Sequence, residues 1–140
     1  MQGAKTAFSR PLLVWGIPVV VGHFLIVLWH LFLLVKIEPN TASFLPPLLI
    51  LINVIPVAGL FVFQRGFSKL AATMVAVPLA VALVIGAYSH FLSSGTDNFF
   101  RMPPGEFRLS YQISAVLLVM LGVLGCWIGY RMFGNATGKS

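Results

Sequence analysis

Charge is what this chain has least of. Only 9% of its 140 residues are charged, against 59% hydrophobic. Soluble domains carry about 25% charged residues, so the composition excludes a surface built for water and points to a membrane. Acid is scarcest. Glu38, Asp97 and Glu106 are the three carboxylates, and none lies deep in an apolar stretch, which argues against a proton-coupled pump. The one cysteine, Cys126, excludes an internal disulfide and any Cys-pair redox motif, and reads as a small packing residue. No HExxH, CxxCH, Gly-rich phosphate loop or close carboxylate pair occurs, so the usual motif-borne chemistries are missing. A Ser89–His90–Asp97 set can be drawn, but any short chain with several serines allows one. An enzyme is not the expectation. Basic residues are in excess, with a net charge of +6, but they stand in ones and twos between apolar runs. That scatter excludes the basic stripe of a nucleic-acid binder.

What is present is long uncharged runs. No charged residue occurs over 11–35, 39–64, 70–96 or 109–130, and each interval can supply the roughly 20 apolar residues of a spanning helix. The predicted helices are 12–35, 44–63, 70–92 and 111–133, with an outer loop over 93–110. The expected fold is an all-α integral membrane protein. It is a single transmembrane domain over residues 1–140, with four helices in an up-down-up-down bundle and a structured, aromatic-rich loop between the third and fourth. The first run is too long for the apolar core of a signal peptide and has no small-residue cleavage site after it. No lipidation signal is seen at either end.

Orientation follows from the basic residues near the span ends. Lys5, Arg10, Arg65, Lys69, Arg131 and Lys139 fall on one side, and Lys36, Arg101 and Arg108 on the other. This bias predicts both termini in the cytoplasm and the 93–110 loop outside.

Polar residues inside the runs are the candidate site. Gly16, His23 and His30 follow at intervals of seven and so share one helix face. An intramembrane histidine invites a functional reading. The simpler expectation is a neutral His23 hydrogen-bonded to a backbone group or hydroxyl across the bundle, and a His30 that meets interfacial water beside Trp29. By helical rise, His30 lies about 27 Å from Leu12 and His90 about 30 Å from Leu70, with His23 roughly 10 Å deeper. His30 and His90 therefore match in depth. Two unrelated interfacial histidines are expected, and a pair sharing a haem or (bacterio)chlorophyll is the alternative. Two histidines fall short of a complete site for most free metals, so no cofactor is favoured. Asn53 and Pro56 mark a helix break in the second run. The expectation there is a kink with its polar group satisfied, and a discontinuous helix of the transporter type is the alternative.

Small residues mark packing faces. Ala72, Ala76 and Ala80 make a ridge on the third helix, and Gly125 and Gly129 a GxxxG pair on the fourth. Both let another helix approach closely. In the outer loop, Phe99, Phe100, Arg101, Phe107 and Arg108 suit docking into headgroups or contact with a partner. The role these features suggest is a non-catalytic accessory, structural or interaction subunit. Its partners are lipid and other membrane subunits or a second copy of itself. A histidine-ligated haem or pigment carrier is the first alternative. A small transporter or channel built around Asn53 and Pro56 is the second.

Overall fold

The computed structural model describes residues 9–37, 45–94, 98–102 and 104–137. Four helices account for most of them: α1 (Ser9–Ile37), α2 (Leu45–Gln64), α3 (Ser68–Ala87) and α4 (Arg108–Thr137). A single π-helical turn, Tyr88–Leu92, extends α3. Three segments, Pro11–Ile37, Ser68–Leu92 and Arg108–Gly134, are long and apolar enough to cross a membrane. The fourth is shorter. Among the described residues its apolar stretch is Ile52–Gln64, so the structure shows three long apolar helices and a shorter fourth in the places where four spans were expected.

Boundaries differ from expectation where polarity does not mean a break. Arg108, Leu109 and Ser110 belong to α4 rather than to the loop, because nothing after Gly105 opposes helix formation. The Arg108 amide reaches the Gly105 carbonyl at 3.2 Å, and the Tyr111 amide reaches Phe107 at 2.9 Å. The third run divides into an α-helix and a π turn, in which the Ser93 amide donates to the carbonyl of Tyr88, five residues back, at 2.8 Å. The second run is not interrupted, since α2 continues through Asn53 and Pro56. The discontinuous helix of the transporter reading is therefore not formed.

The turn from α2 to α3 is set by Gly66, which holds φ at +88°, a region that L side chains rarely adopt. Its amide donates to Phe63 O at 3.0 Å and the next amide, from Phe67, to Val62 O at 3.3 Å. This 5→2 and 6→1 pair is a Schellman termination, and it folds α3 back along α2.

Each helix packs on its neighbours in the order α1, α2, α3, α4 and back to α1. Gly16, early in α1, stands against Ile128 and Met132, late in α4, so these two run antiparallel. The α3–α4 pair is also antiparallel, with Ala76, Leu79 and Leu83 facing Gly129, Gly125 and Gly122 in turn. Two buried clusters fill the interior. Val20, Leu60, Phe63, Val75, Leu79, Ile128 and Met132 belong to one, and Val27, Leu31, Leu34, Met102 and Tyr111 to the other. The outside is apolar too: Trp15, Leu25, Phe32, Val84, Val123 and Trp127 are exposed. An exterior of this kind suits lipid and not water.

Candidate functional site

The histidines are the residues that packing rearranges most. His30 lies in α1 and His90 in the π turn, and both are buried. Their rings meet edge to face with centroids 4.8 Å apart. They are thus in contact and buried within the bundle, where two unrelated histidines were the simpler expectation. The chain brings the depth-matched pair into contact because the wider π turn carries His90 to the bundle-facing side. Single π turns of this kind are frequent at functional sites.

A hydroxyl on α4 sets the chemistry of His30. His30 Nδ1 lies 2.8 Å from Ser114 Oγ, and Ser114 Oγ donates to the Tyr111 carbonyl at 2.7 Å. A hydroxyl has one hydrogen and two acceptor lone pairs. With that hydrogen given to the carbonyl, Ser114 accepts, so His30 carries its proton on Nδ1. The ring is thereby held as one tautomer with its acceptor lone pair on Nε2. The Tyr111 ring closes the other side, 4.2 Å from His30 and 5.8 Å from His90 by centroid. The Tyr111 hydroxyl is itself buried and makes no hydrogen bond.

Deeper in the bundle, His23 on α1 is buried and stands beside the Asn53 carboxamide of α2. Asn53 Nδ2 donates back to Leu49 O at 2.7 Å, so the amide satisfies its own helix with one end. Its Oδ1, also buried, accepts no hydrogen bond. The polar group expected to be satisfied here is met at its nitrogen, while its oxygen has His23 beside it and no completed hydrogen bond.

His23, His30, His90 and Asn53 line one cavity of about 120 Å³, to which Ser89 adds a hydroxyl. Leu83, Leu118 and Val119 are among its apolar walls, and among the described residues no Asp, Glu, Lys or Arg lines it. All four helices contribute. The cavity is small beside the roughly 300–1,000 Å³ of sites for larger ligands. A porphyrin-type ring does not fit. Two imidazoles on opposite sides of one metal, at about 2.0–2.1 Å each, put their nitrogens about 4 Å apart and their ring centres farther still, and the macrocycle must lie between them. His30 and His90 instead touch edge to face. Nor, among the described residues, is any group of three or more His, Cys, Asp or Glu placed to hold a metal ion.

The loop residues fold onto the end of this site. The Phe99 amide donates to His90 O at 2.6 Å, and Gln112 Nε2 on α4 donates to Phe99 O at 2.8 Å. Asn98 organises the segment. Its Nδ2 donates to Ser93 O at 2.8 Å, and its Oδ1 accepts from the Phe100 amide at 2.9 Å. The second contact is an Asx turn, in which the side chain imitates a backbone turn. Phe91, Phe99 and Phe100 form a ring cluster with centroids 5.2–6.3 Å apart. Phe100 and Arg101 are exposed, Arg108 is half-buried, and Phe107 packs against the second core cluster. Asp97 lies outside the described residues, and with it the Ser89–His90–Asp97 arrangement.

On the packing faces, a β-carbon at Gly129 would stand 2.7 Å from Ala76 Cβ and 3.0 Å from the Ala76 backbone, and one at Gly125 would run into Leu79 Cδ1. Ala72 is buried, whereas Ala80 is exposed. Successive residues four apart on a helix advance by about 40°, so the alanine ridge rotates out of the interface and Leu83 takes the next place. Cys126 is half-buried, with Sγ 3.9 Å from Ala76 O.

Ser114, Tyr111, Ser89, Asn98 and Gln112 were not picked out by sequence reasoning as site residues. Ser114 had a usable signal, because ranking every polar residue by helical depth, as for the histidines, puts it near His30. No protein-family model, curated protein or solved structure matches this chain.

Proposed function

We propose that this is a multi-pass membrane protein with four spanning helices in up-down-up-down order, both termini cytoplasmic, whose bundle binds a small molecule in the histidine-lined cavity. The observation that carries the reading is the convergence of His23, His30, His90 and Asn53, from three helical segments, on one cavity. Polar groups inside a membrane are expensive and default to a functional interpretation. Here the chain buries four of them together, where apolar side chains would pack without cost. Imidazole, amide and hydroxyl groups can orient a ligand by hydrogen bonds. Among the described residues the lining is imidazole, amide, hydroxyl and apolar groups, a set that supports binding.

An accessory role in a larger assembly is the second reading, and it draws on a different place. Phe100 is 71% exposed at the tip of an otherwise ordered aromatic cluster, beside Arg101. That is the composition of an interaction surface.

The binding reading is tested in lipid nanodiscs with ¹⁵N-histidine-labelled protein and a panel of molecules of about four to six non-hydrogen atoms. At least one member should shift the imidazole signals of His23, His30 and His90 together. Ala82→Phe, which places a ring into the cavity wall, should abolish the shifts. No concerted shift with any member would overturn the reading.

A further inference from the structure

We infer that the ligand of this cavity is a small, uncharged hydrogen-bond donor of about five non-hydrogen atoms, anchored by Asn53 Oδ1; this rests on the binding role proposed above. Size comes from the cavity. A dry cavity of roughly 150 Å³ holds benzene, so the 120 Å³ present here takes a molecule one atom or so smaller, or a few waters. Charge comes from the lining, which among the described residues contains no Asp, Glu, Lys or Arg. An ion taken there would lose its hydration without gaining a counter-charge.

The donor character comes from Asn53. The residue is 3% exposed, its nitrogen is committed to Leu49 O, and its carbonyl oxygen is unpartnered. Buried polar atoms without partners are rare, and each calls for an explanation. His23 is the side chain that faces the carboxamide and lies within reach of a hydrogen bond to it, but the contact falls short of full hydrogen-bond geometry and leaves Oδ1 without a completed bond. Contacts of that kind across a gap are commonly closed by a third group. A ligand N–H or O–H directed at Oδ1 closes this one, while its apolar part lies against Leu83, Leu118 and Val119. The surroundings of that oxygen therefore select for a donor and against a molecule of equal shape that lacks one. Selection by an unmet buried polar atom is stronger than selection by shape alone.

Pyrrole and furan make the test. Each is a flat ring of five non-hydrogen atoms, and pyrrole alone has an N–H. Both are titrated into ¹⁵N-histidine-labelled protein in nanodiscs, with the imidazole signals as the readout so that dissolution in lipid is not counted. Pyrrole should saturate the shifts at a concentration about tenfold lower than furan, the factor that one net hydrogen bond supplies. In Asn53→Leu the two should become equal, with furan binding retained. Equal binding of pyrrole and furan by the unaltered protein overturns the inference and leaves the binding role standing. A pyrrole preference that persists in Asn53→Leu overturns the assignment to Oδ1. If neither ring moves any histidine signal although another panel member does, the inference fails alone. If nothing does, the cavity holds water only, and both readings fall. The comparison in the unaltered protein needs no variant, so it stands even if Asn53→Leu does not fold.

Discussion

Removing the Ser114 hydroxyl would leave the buried His30 Nδ1–H without that acceptor. Hydrogen bonds between membrane helices contribute about 0.6 kcal/mol on average and at most about 1.7. Ser114→Ala should cost an amount in that range, read as a lower midpoint of unfolding in detergent. It should also release the tautomer, so that the ¹⁵N spectrum of His30 changes from one protonated nitrogen to a mixture. Tyr111→Phe makes the opposite prediction three residues away. Its hydroxyl is buried with no partner, and a polar group left unmet costs stability. Deleting that oxygen should leave stability unchanged or raise it by up to about 1 kcal/mol. A loss on Tyr111→Phe as large as that on Ser114→Ala would mean that the hydroxyl has a partner after all. The contrast matters for the site, because both side chains touch His30 and only one of them governs its protonation.

At the scale of elements, the α3–α4 contact depends on how much of each helix is backbone. Gly129 faces the Ala76 main chain, which cannot yield, whereas Gly125 faces the end of the Leu79 side chain, which can rotate. Added volume in a packed interface costs about 1–3 kcal/mol. Gly129→Ala should fall in the upper part of that range and Gly125→Ala in the lower part, measured by the same unfolding assay. Equal losses at the two positions would show that the helices adjust as rigid bodies. The two-glycine motif itself does not carry this ordering. It follows from which atoms lie opposite, and the same holds for Ala80, which has the right spacing and the wrong rotation. The loop behaves in a comparable way. Its composition suggests turns, but its order comes from Asn98 and from the Phe99 contacts to His90 and Gln112, which tie it to two separate helices.

For the whole molecule, the distribution of basic residues motivates the orientation. Lys36 lies over the Phe32 ring near one end of α1, and Arg131 over the Trp127 ring near the end of α4, an arrangement that suits side chains at a lipid interface. In the proposed orientation, with both termini cytoplasmic, Ser94, which is exposed, would face outward. A Ser94→Cys, Cys126→Ser protein should react with an impermeant thiol reagent on intact cells. Reaction only after lysis would reverse the orientation and place the histidine end of the bundle on the cytoplasmic side.

The positions of the helices were legible in the sequence. The expected spans, 12–35, 44–63, 70–92 and 111–133, end within four residues of the observed helical segments, because inside lipid a helix is the local way to satisfy every backbone group. Depth was legible for the same reason: a fixed rise per residue placed His30 and His90 at one level without knowledge of their neighbours. Rotation was not. These helices are apolar on all sides, so hydrophobic periodicity does not mark an inward face, and sequence spacing could not tell Ala76, which packs, from Ala80, which does not. Tertiary structure alone decided that His30 meets His90, that Ser114 fixes the His30 proton, and that Asn53 keeps one oxygen unmet beside His23. Each depends on how far one helix is turned against another, and on a π turn that adds part of a residue's rotation at His90. Side-chain packing over the whole bundle sets those angles, and no single stretch of the chain contains them.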